Sequence, residues 1–354
     1  MSAFASDLIN GIAPYVPGEQ PRDRRYIKLN TNENPYYTSK KAVKSISGDV
    51  LSNLNRYSDP ECTELTAAIA QFYSVKAESV LVTNGSDEAL AFAFFAYGKR
   101  GVCYPDITYG FYDVIANLFG CAAEHISLND DFTVNETHYY NKGKTVVLAN
   151  PNAQTGLELS LDAIENIVKA NPQNVVIIDQ AYADFGNCNA IGLVDKYENL
   201  IVVNTFSKSR SLAGARVGYA IANEELIADL KKVKNSFHPY NVNSVSAALA
   251  MQAIEDAEYF LQSVEKVKLT RSALTDGLRA LGFTVLPSAA NFVMAKSPEI
   301  EGGKLYELLK ENGVLVRHFS AQRISDYVRI TVGTDEETER LLQILKRILK
   351  GKLL

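Results

Sequence analysis

Leu200-Ile201-Val202-Val203-Asn204-Thr205-Phe206-Ser207-Lys208-Ser209-Arg210-Ser211-Leu212-Ala213-Gly214-Ala215-Arg216 opens on an unbroken apolar run and closes on small and basic residues. An apolar run too short for a helix, with no alternation, is a strand buried on both faces. The pattern returns in Val80-Leu81-Val82, Val146-Val147-Leu148 and Val175-Val176-Ile177-Ile178. Amphipathic stretches lie between, such as Leu161-Asp162-Ala163-Ile164-Glu165-Asn166-Ile167-Val168. This alternation predicts an α/β fold around a mostly parallel sheet. Ligands of such sheets bind beyond the carboxyl ends of the strands, where Lys208 and Asp179 both fall.

After about residue 240 the pattern changes. A long helical stretch is predicted from Ser244 to about Leu281, followed by strand-like pieces at 283–286, 291–294, 314–316 and 327–331. Thr334 and Glu337 have capping-box spacing, and Leu341, Leu342, Leu345, Ile348 and Leu349 form the apolar stripe of a final helix. These pieces predict a smaller α+β domain. The expected division is an irregular arm at 1–35 containing Pro14, Pro17 and Pro21, a large domain at 36–240 and a small one at 241–354.

A chain of 354 residues, 47% hydrophobic and 22% charged, has the composition of a globular protein large enough for two domains. A net charge of −5 argues against nucleic acid as a partner, while leaving room for a local basic pocket. There is no run of membrane-spanning length, and the N-terminus lacks a basic-then-apolar export signal. Cys62, Cys103, Cys121 and Cys188 are scattered and read as reduced thiols, so the expectation is a cytoplasmic protein. The four histidines stand too far apart to suggest a metal site.

Lys forms a Schiff base with an aldehyde, and Arg grips phosphate through its fork. Lys208 and Arg216, eight positions apart, offer both. Asp179 ends a buried strand, where a carboxylate can hold a ring nitrogen protonated or merely cap a helix. Tyr182 is placed to reach a ring oxygen or to fill the core. Together an acid, a lysine and an arginine describe a pocket for pyridoxal phosphate. Gly85-Ser86-Asp87 follow a strand and open a helix, a place that suits either an anion or a plain helix start. Tyr109 offers a ring to a planar ligand or to the core. Arg317 and Arg329 lie in strand-like runs, each needing a structural carboxylate or an anionic substrate.

With these residues in hand, nearly the whole chain resembles the histidinol-phosphate aminotransferase family of fold-type I pyridoxal-phosphate enzymes. The resemblance is carried by Pro14-Tyr15-Val16-Pro17-Gly18, by Leu29-Asn30-Thr31-Asn32-Glu33-Asn34-Pro35 and by Asn55-Arg56-Tyr57-Ser58-Asp59-Pro60. Gly85 to Glu88, Ser207-Lys208 to Arg216, and Arg329-Ile330-Thr331-Val332-Gly333-Thr334 extend it. It implies that Lys208 binds the cofactor aldehyde and shuttles the substrate proton, with Asp179 on the pyridine nitrogen and Tyr182 on the ring oxygen. Tyr109 would stack on the ring, and Gly85, Ser86, Asp87, Thr205, Ser207 and Arg216 would surround the phosphate. Asn152 joins the cofactor residues, while Tyr15, Asn32, Arg317 and Arg329 would bind the substrate. Tyr57 would reach the cofactor of the neighbouring subunit, implying a homodimer. The implied reaction exchanges an amino group between L-histidinol phosphate and a 2-oxo acid, with 2-oxoglutarate expected. Aminotransfer from aromatic or other amino acids, decarboxylation of threonine phosphate and a non-catalytic binding role are the alternatives.

The family's NPNNPTG stands here as Asn150-Pro151-Asn152-Ala153-Gln154-Thr155-Gly156. Ala153 replaces the Asn expected to donate to the ring oxygen, unless Asn152 or Gln154 reaches in instead. The usual Asp-Glu-Ala-Tyr is Asp179-Gln180-Ala181-Tyr182, which removes a charge beside the pyridine acid.

Overall fold

Seven strands build the larger sheet of this computed structural model, which describes residues 11–351 together with Ser2, Phe4, Ala5 and Ile9. After a short β1 (Ile27–Lys28) they are β2 (Val80–Thr83), β3 (Val102–Pro105), β4 (Ala123–Ile126), β5 (Thr145–Ala149), β6 (Val176–Asp179), β7 (Leu200–Thr205) and β8 (Gly218–Ala222). Their spatial order is β2-β8-β7-β6-β5-β3-β4. Strands β4, β3, β5, β6 and β7 run parallel, and β8 is antiparallel to both its neighbours. Side chains alternate between two separate apolar clusters. Val146, Leu148, Val176, Ile178 and Val202 face one, while Val147, Ile177, Ile201 and Val203 face the other. Burial on both faces is what the unbroken apolar runs encode.

The second sheet has four strands in the order β12 (Arg317–His318), β13 (Tyr327–Thr331), β10 (Phe292–Lys296) and β9 (Thr284–Val285). β11 (Val314–Leu315) pairs instead with β1, so the end of the N-terminal arm enters the C-terminal core with Leu29. The final helix, Asp335–Leu349, begins with the expected capping box of Thr334 and Glu337. Its stripe buries Leu341, Ile344, Leu345 and Ile348, with Leu342 and Leu349 at the margin.

The long helix predicted over 244–281 is two helices, Ser244–Glu255 and Ala257–Ala280. Asp256 interrupts them at ψ +61°, its carboxylate accepting from Ser39 Oγ at 2.5 Å and from Lys41 Nζ at 3.0 Å. Those bonds link residues more than 200 positions apart, which no local periodicity reveals. The first helix packs Ala250, Ala253 and Ile254 into the large-sheet core, and the second packs Phe260, Val267 and Leu278 into the smaller one. No described helix is long and apolar enough to cross a membrane.

Candidate active site

A cavity of about 410 Å³ opens beyond the carboxyl ends of β6 and β7, where the parallel strands predict a ligand. Asp179, the last residue of β6, forms part of its floor and is only 4% exposed. It accepts from Tyr112 Oη at 2.8 Å through Oδ2 and from the Ala181 backbone N–H at 3.1 Å through Oδ1. Burial outweighs those donors and pushes its carboxyl up to about 6. A cationic ligand group beside Asp179 would restore the charged form.

Lys208 follows β7 and lines the same cavity. Its backbone is held rather than left as a free loop. Asn34 Nδ2 donates to the carbonyls of Lys208 and Ser209 at 3.0 and 3.3 Å, and Ser209 Oγ donates to Asp184 Oδ2 at 2.5 Å. The Lys208 ammonium donates to the Thr31 carbonyl at 3.4 Å and lies 5.7 Å from the centre of the Tyr182 ring. The side chain is placed, but only weakly bound.

An anion cradle adjoins it. Gly85, with φ +85°, precedes the helix Ser86–Tyr97 and supplies no side-chain cap, so the first N–H groups of that helix are free to meet a ligand. Any Cβ at Gly85 would stand 2.5 Å from Arg216 Nη2. At Gly218, paired with Thr83 across β8 and β2, a Cβ would strike the Ser86 backbone nitrogen. Arg216 Nη1 donates to Ser207 Oγ at 3.3 Å, and Nη2 lies 3.5 Å from Asp87. Ser207 Oγ accepts from Thr205 Oγ1 at 3.0 Å. A helix start, two hydroxyls and a guanidinium converge with glycine clearance between them.

Arg317 and Arg329 also line the cavity, and they are direct partners across β12 and β13. Like charges opposite one another in a sheet repel unless an anion joins them. Arg329 Nη1 donates to the Ala153 carbonyl at 2.8 Å and approaches Gln154 Oε1 at 3.5 Å, while its buried Nε has no partner among the described residues. Burial lowers its pKa from the ordinary value. Arg317 donates only long bonds to the carbonyls of Pro17 and Val16, at 3.5 and 3.4 Å. Tyr15 packs edge-on against Tyr109 and Phe111 at the cavity.

A lysine, a buried acid, an anion cradle and a pair of spare arginines in one cavity suit amine chemistry on a phosphorylated aldehyde. Residues 24–345 match the family of class I and II aminotransferases. The chain belongs to that family. A histidinol-phosphate aminotransferase from Marinomonas sp. (strain MWYL1) is 47% identical over 98% of this chain and all of its own length. One from Brachyspira hyodysenteriae is 46% identical over 99% and 100%. Among solved structures, the Sinorhizobium meliloti histidinol-phosphate aminotransferase in complex with pyridoxal 5′-phosphate superposes with a TM-score of 0.89 at 20% identity, covering 99% of each chain. An aspartate aminotransferase variant from Thermus thermophilus gives 0.83 at 19% identity, covering 98% of this chain and 100% of its own. Aminotransferases of different named substrates thus share this fold.

Pyridoxal phosphate is the cofactor of this aminotransferase family, and the residues fit it. Gly85 and Gly218 let Arg216 and the Ser86 helix start pack closely around one anion-facing corner of the cavity, and Asp179 is a buried acid that favours a cationic neighbour. Most residues singled out in the sequence meet at this cavity: Tyr15, Asn32, Ser86, Asp87, Tyr109, Asp179, Tyr182, Thr205, Ser207, Lys208, Arg216, Arg317 and Arg329 all line it.

Two do not. Asn152 is committed to its own turn, Nδ2 donating to the Ile107 carbonyl at 2.8 Å and Oδ1 accepting from the Gln154 and Thr155 N–H groups at 2.9 and 3.0 Å. Those bonds hold the Asn152 amide in its turn, off the cavity lining, while Gln154 lines the cavity and accepts from Arg329 through Oε1. Tyr57 is 83% exposed and stacks on Tyr240 at 4.5 Å, away from this chain's own cavity. Gln180 also differs from its expected bearing on the pyridine acid. Its Nε2 donates to the Cys188 carbonyl at 3.1 Å and its Oε1 accepts from Ala190 N–H at 3.0 Å, so it staples the following loop. A glutamate could not donate to that carbonyl. Sequence reasoning missed Tyr112, the donor to Asp179. Its spacing of three from Tyr109, at a helix start, is the signal that both rings share one face.

Proposed function

We propose that this aminotransferase moves the amino group of L-histidinol phosphate to 2-oxoglutarate, giving imidazole acetol phosphate and L-glutamate in histidine biosynthesis. The observation that carries the reading is the Arg317–Arg329 pair, opposed across one sheet and lining the cavity that holds Lys208. Two guanidinium forks suit a dianionic phosphate better than a single carboxylate. The names of relatives sharing nearly half their residues with this chain support the same donor.

When bound, pyridoxal phosphate supplies an aldehyde for Lys208 and a ring that accepts the electrons left by the departing substrate proton. Lys208 Nζ would carry that proton from the substrate carbon to the cofactor carbon. Asp179 would keep the ring nitrogen protonated. Tyr182 would donate to the ring oxygen, and Tyr109, which lines the same cavity, would offer its ring to the cofactor. Ser86, Asp87, Thr205, Ser207 and Arg216 would hold the cofactor phosphate, while Tyr15, Arg317 and Arg329 would hold the donor's anionic end. The exposed Tyr57 supports a homodimer in which it completes the partner's site. We further assign the protein to the cytoplasm, which its free cysteines support. For the two-domain division, packing of the helix Ser244–Glu255 on the large-sheet core favours a boundary near Asp256 over one at residue 240.

A half-reaction screen tests the donor. Purified holoenzyme is mixed with histidinol phosphate, histidinol, aromatic amino acids or threonine phosphate, and the cofactor spectrum is followed. Rapid conversion by histidinol phosphate alone, reversed by 2-oxoglutarate, is expected. Preference for a carboxylate-bearing amine, or carbon dioxide release from threonine phosphate, would refute the donor and leave the family standing.

A further inference from the structure

The turn at Asn32 stands between Tyr182 and the strand that carries Arg329. Asn32 is 1% exposed and holds φ +54°, a left-handed conformation that asparagine tolerates better than most side chains. Its carbonyl accepts from Asn291 Nδ2 at 3.0 Å, which fixes the turn. Its backbone N–H donates to Thr331 Oγ1 at 3.0 Å, and a backbone N–H can only donate. The Thr331 hydroxyl, an acceptor on that side, gives its own hydrogen to Asn32 Oδ1 at 3.1 Å. With Oδ1 fixed as the acceptor, the amide presents Nδ2 to Tyr182 Oη at 3.0 Å and donates to it. A phenol oxygen already receiving a hydrogen keeps its own for another partner. Tyr182 lines the cavity, so that hydrogen is available to a ligand there.

We propose that Asn32 is a positioning residue that sets the direction of this hydrogen-bond chain and makes the Tyr182 hydroxyl a fixed donor to the cofactor's phenolic oxygen. The chain begins on Thr331, two residues from Arg329 on the same strand, so both ends of the cavity share one support. The arrangement matters here because Ala153 has no side-chain donor and Asn152 is occupied in its own turn. Successive bonds of one polarity also strengthen one another.

The inference rests on the pyridoxal-phosphate reading, and the visible absorbance of the bound cofactor, titrated without substrate, separates the two. Losing a fixed donor leaves more negative charge on the phenolic oxygen, beside the protonated nitrogen joined to Lys208. The midpoint should therefore rise by roughly half to one pH unit in Thr331→Val and Asn32→Ala. Thr331→Ser, which keeps the hydroxyl, should restore the wild-type midpoint. Tyr182→Phe should raise it at least as far, and adding Thr331→Val to that background should change nothing more. Thr331→Val carries the test if Asn32→Ala fails to fold. An unchanged midpoint in Thr331→Val, or an equal shift with and without Tyr182, overturns the relay alone. Absence of any visible band in the reconstituted wild type overturns the cofactor reading and the relay together.

Discussion

Asp179 and the Arg317–Arg329 pair line one cavity, yet their surroundings differ. Asp179 receives hydrogen bonds from Tyr112 and Ala181 and lies at the end of a fully buried strand. The arginines face each other across β12 and β13, and their partners are backbone carbonyls and one amide oxygen. One region is assembled before any ligand arrives, with its polar atoms given protein partners. The other keeps unbalanced positive charge that only an anion removes. Changes at the floor should therefore register in the protein without substrate, and changes at the arginines only when an anionic substrate is offered.

The largest expected effect falls between the two regions, at Lys208. Lys208→Ala should reduce amino transfer by about 10⁴-fold or more, while cofactor binding measured by dialysis and the melting curve stay near wild type. A variant that still turned over at a comparable rate would remove the lysine from the chemistry.

Asp179 probes the preassembled floor. Its folded pKa of about 6 lies above the ordinary 3.8, so the folded apo-protein holds this proton more tightly than the unfolded chain. Stability attributable to this group should fall as pH rises from about 4 to 6 and stay lowered above that, by about 3 kcal/mol. Asp179→Asn should abolish that part of the pH slope in urea unfolding of the apo-protein and also slow the half-reaction. A slope identical in variant and wild type would mean that the carboxyl is not desolvated as its burial implies.

Arg329→Ala and Arg317→Ala should each raise KM for histidinol phosphate by about tenfold to a hundredfold, with little change in cofactor affinity. The double variant should fall short of the product if both forks hold one phosphate. Equal losses with dephosphorylated histidinol would break the contrast between the two regions.

Gln180→Glu sharpens the comparison at its lower limit. Placing a carboxylate against the Cys188 carbonyl should lower stability by about 1–3 kcal/mol and leave the cofactor spectrum unmoved. A spectral shift would bring this side chain back into the tuning of Asp179.

The parts of this architecture legible in the sequence are those written in local pattern. Unbroken apolar runs announced β2, β5, β6 and β7, and the Thr334–Glu337 spacing announced the final helix. Asp179, which ends one of those runs, and Lys208, three residues beyond the end of another, were legible for the same reason. What escaped depends on contacts between distant segments. The break at Asp256 comes from Ser39 and Lys41, and Asn152 is withdrawn from the cavity by the Ile107 carbonyl. Tyr112 was hidden because a buried tyrosine in an aromatic-rich helix looks like core until its hydroxyl is seen on a carboxylate. The helix Ser86–Tyr97 is apolar nearly all round, so its role as an anion-facing terminus rests on Gly85 and not on its periodicity.

The register Arg317↔Arg329 acts as a ruler. Because side chains alternate along a strand, the neighbouring Val316 and Val328 point into the core while the two guanidiniums share the opposite face. The spacing between the charges is thus set by the ladder and not by the segment 319–326 that joins the strands. Residues inserted at the exposed Ser320, Ala321 or Gln322 leave the ruler untouched. A slip of one position would turn Arg329 into the apolar interior and bring a valine or isoleucine to the ligand. This part of the active site is inherited as a pairing frame, open to length variation in the connecting segment and closed to it in the strands.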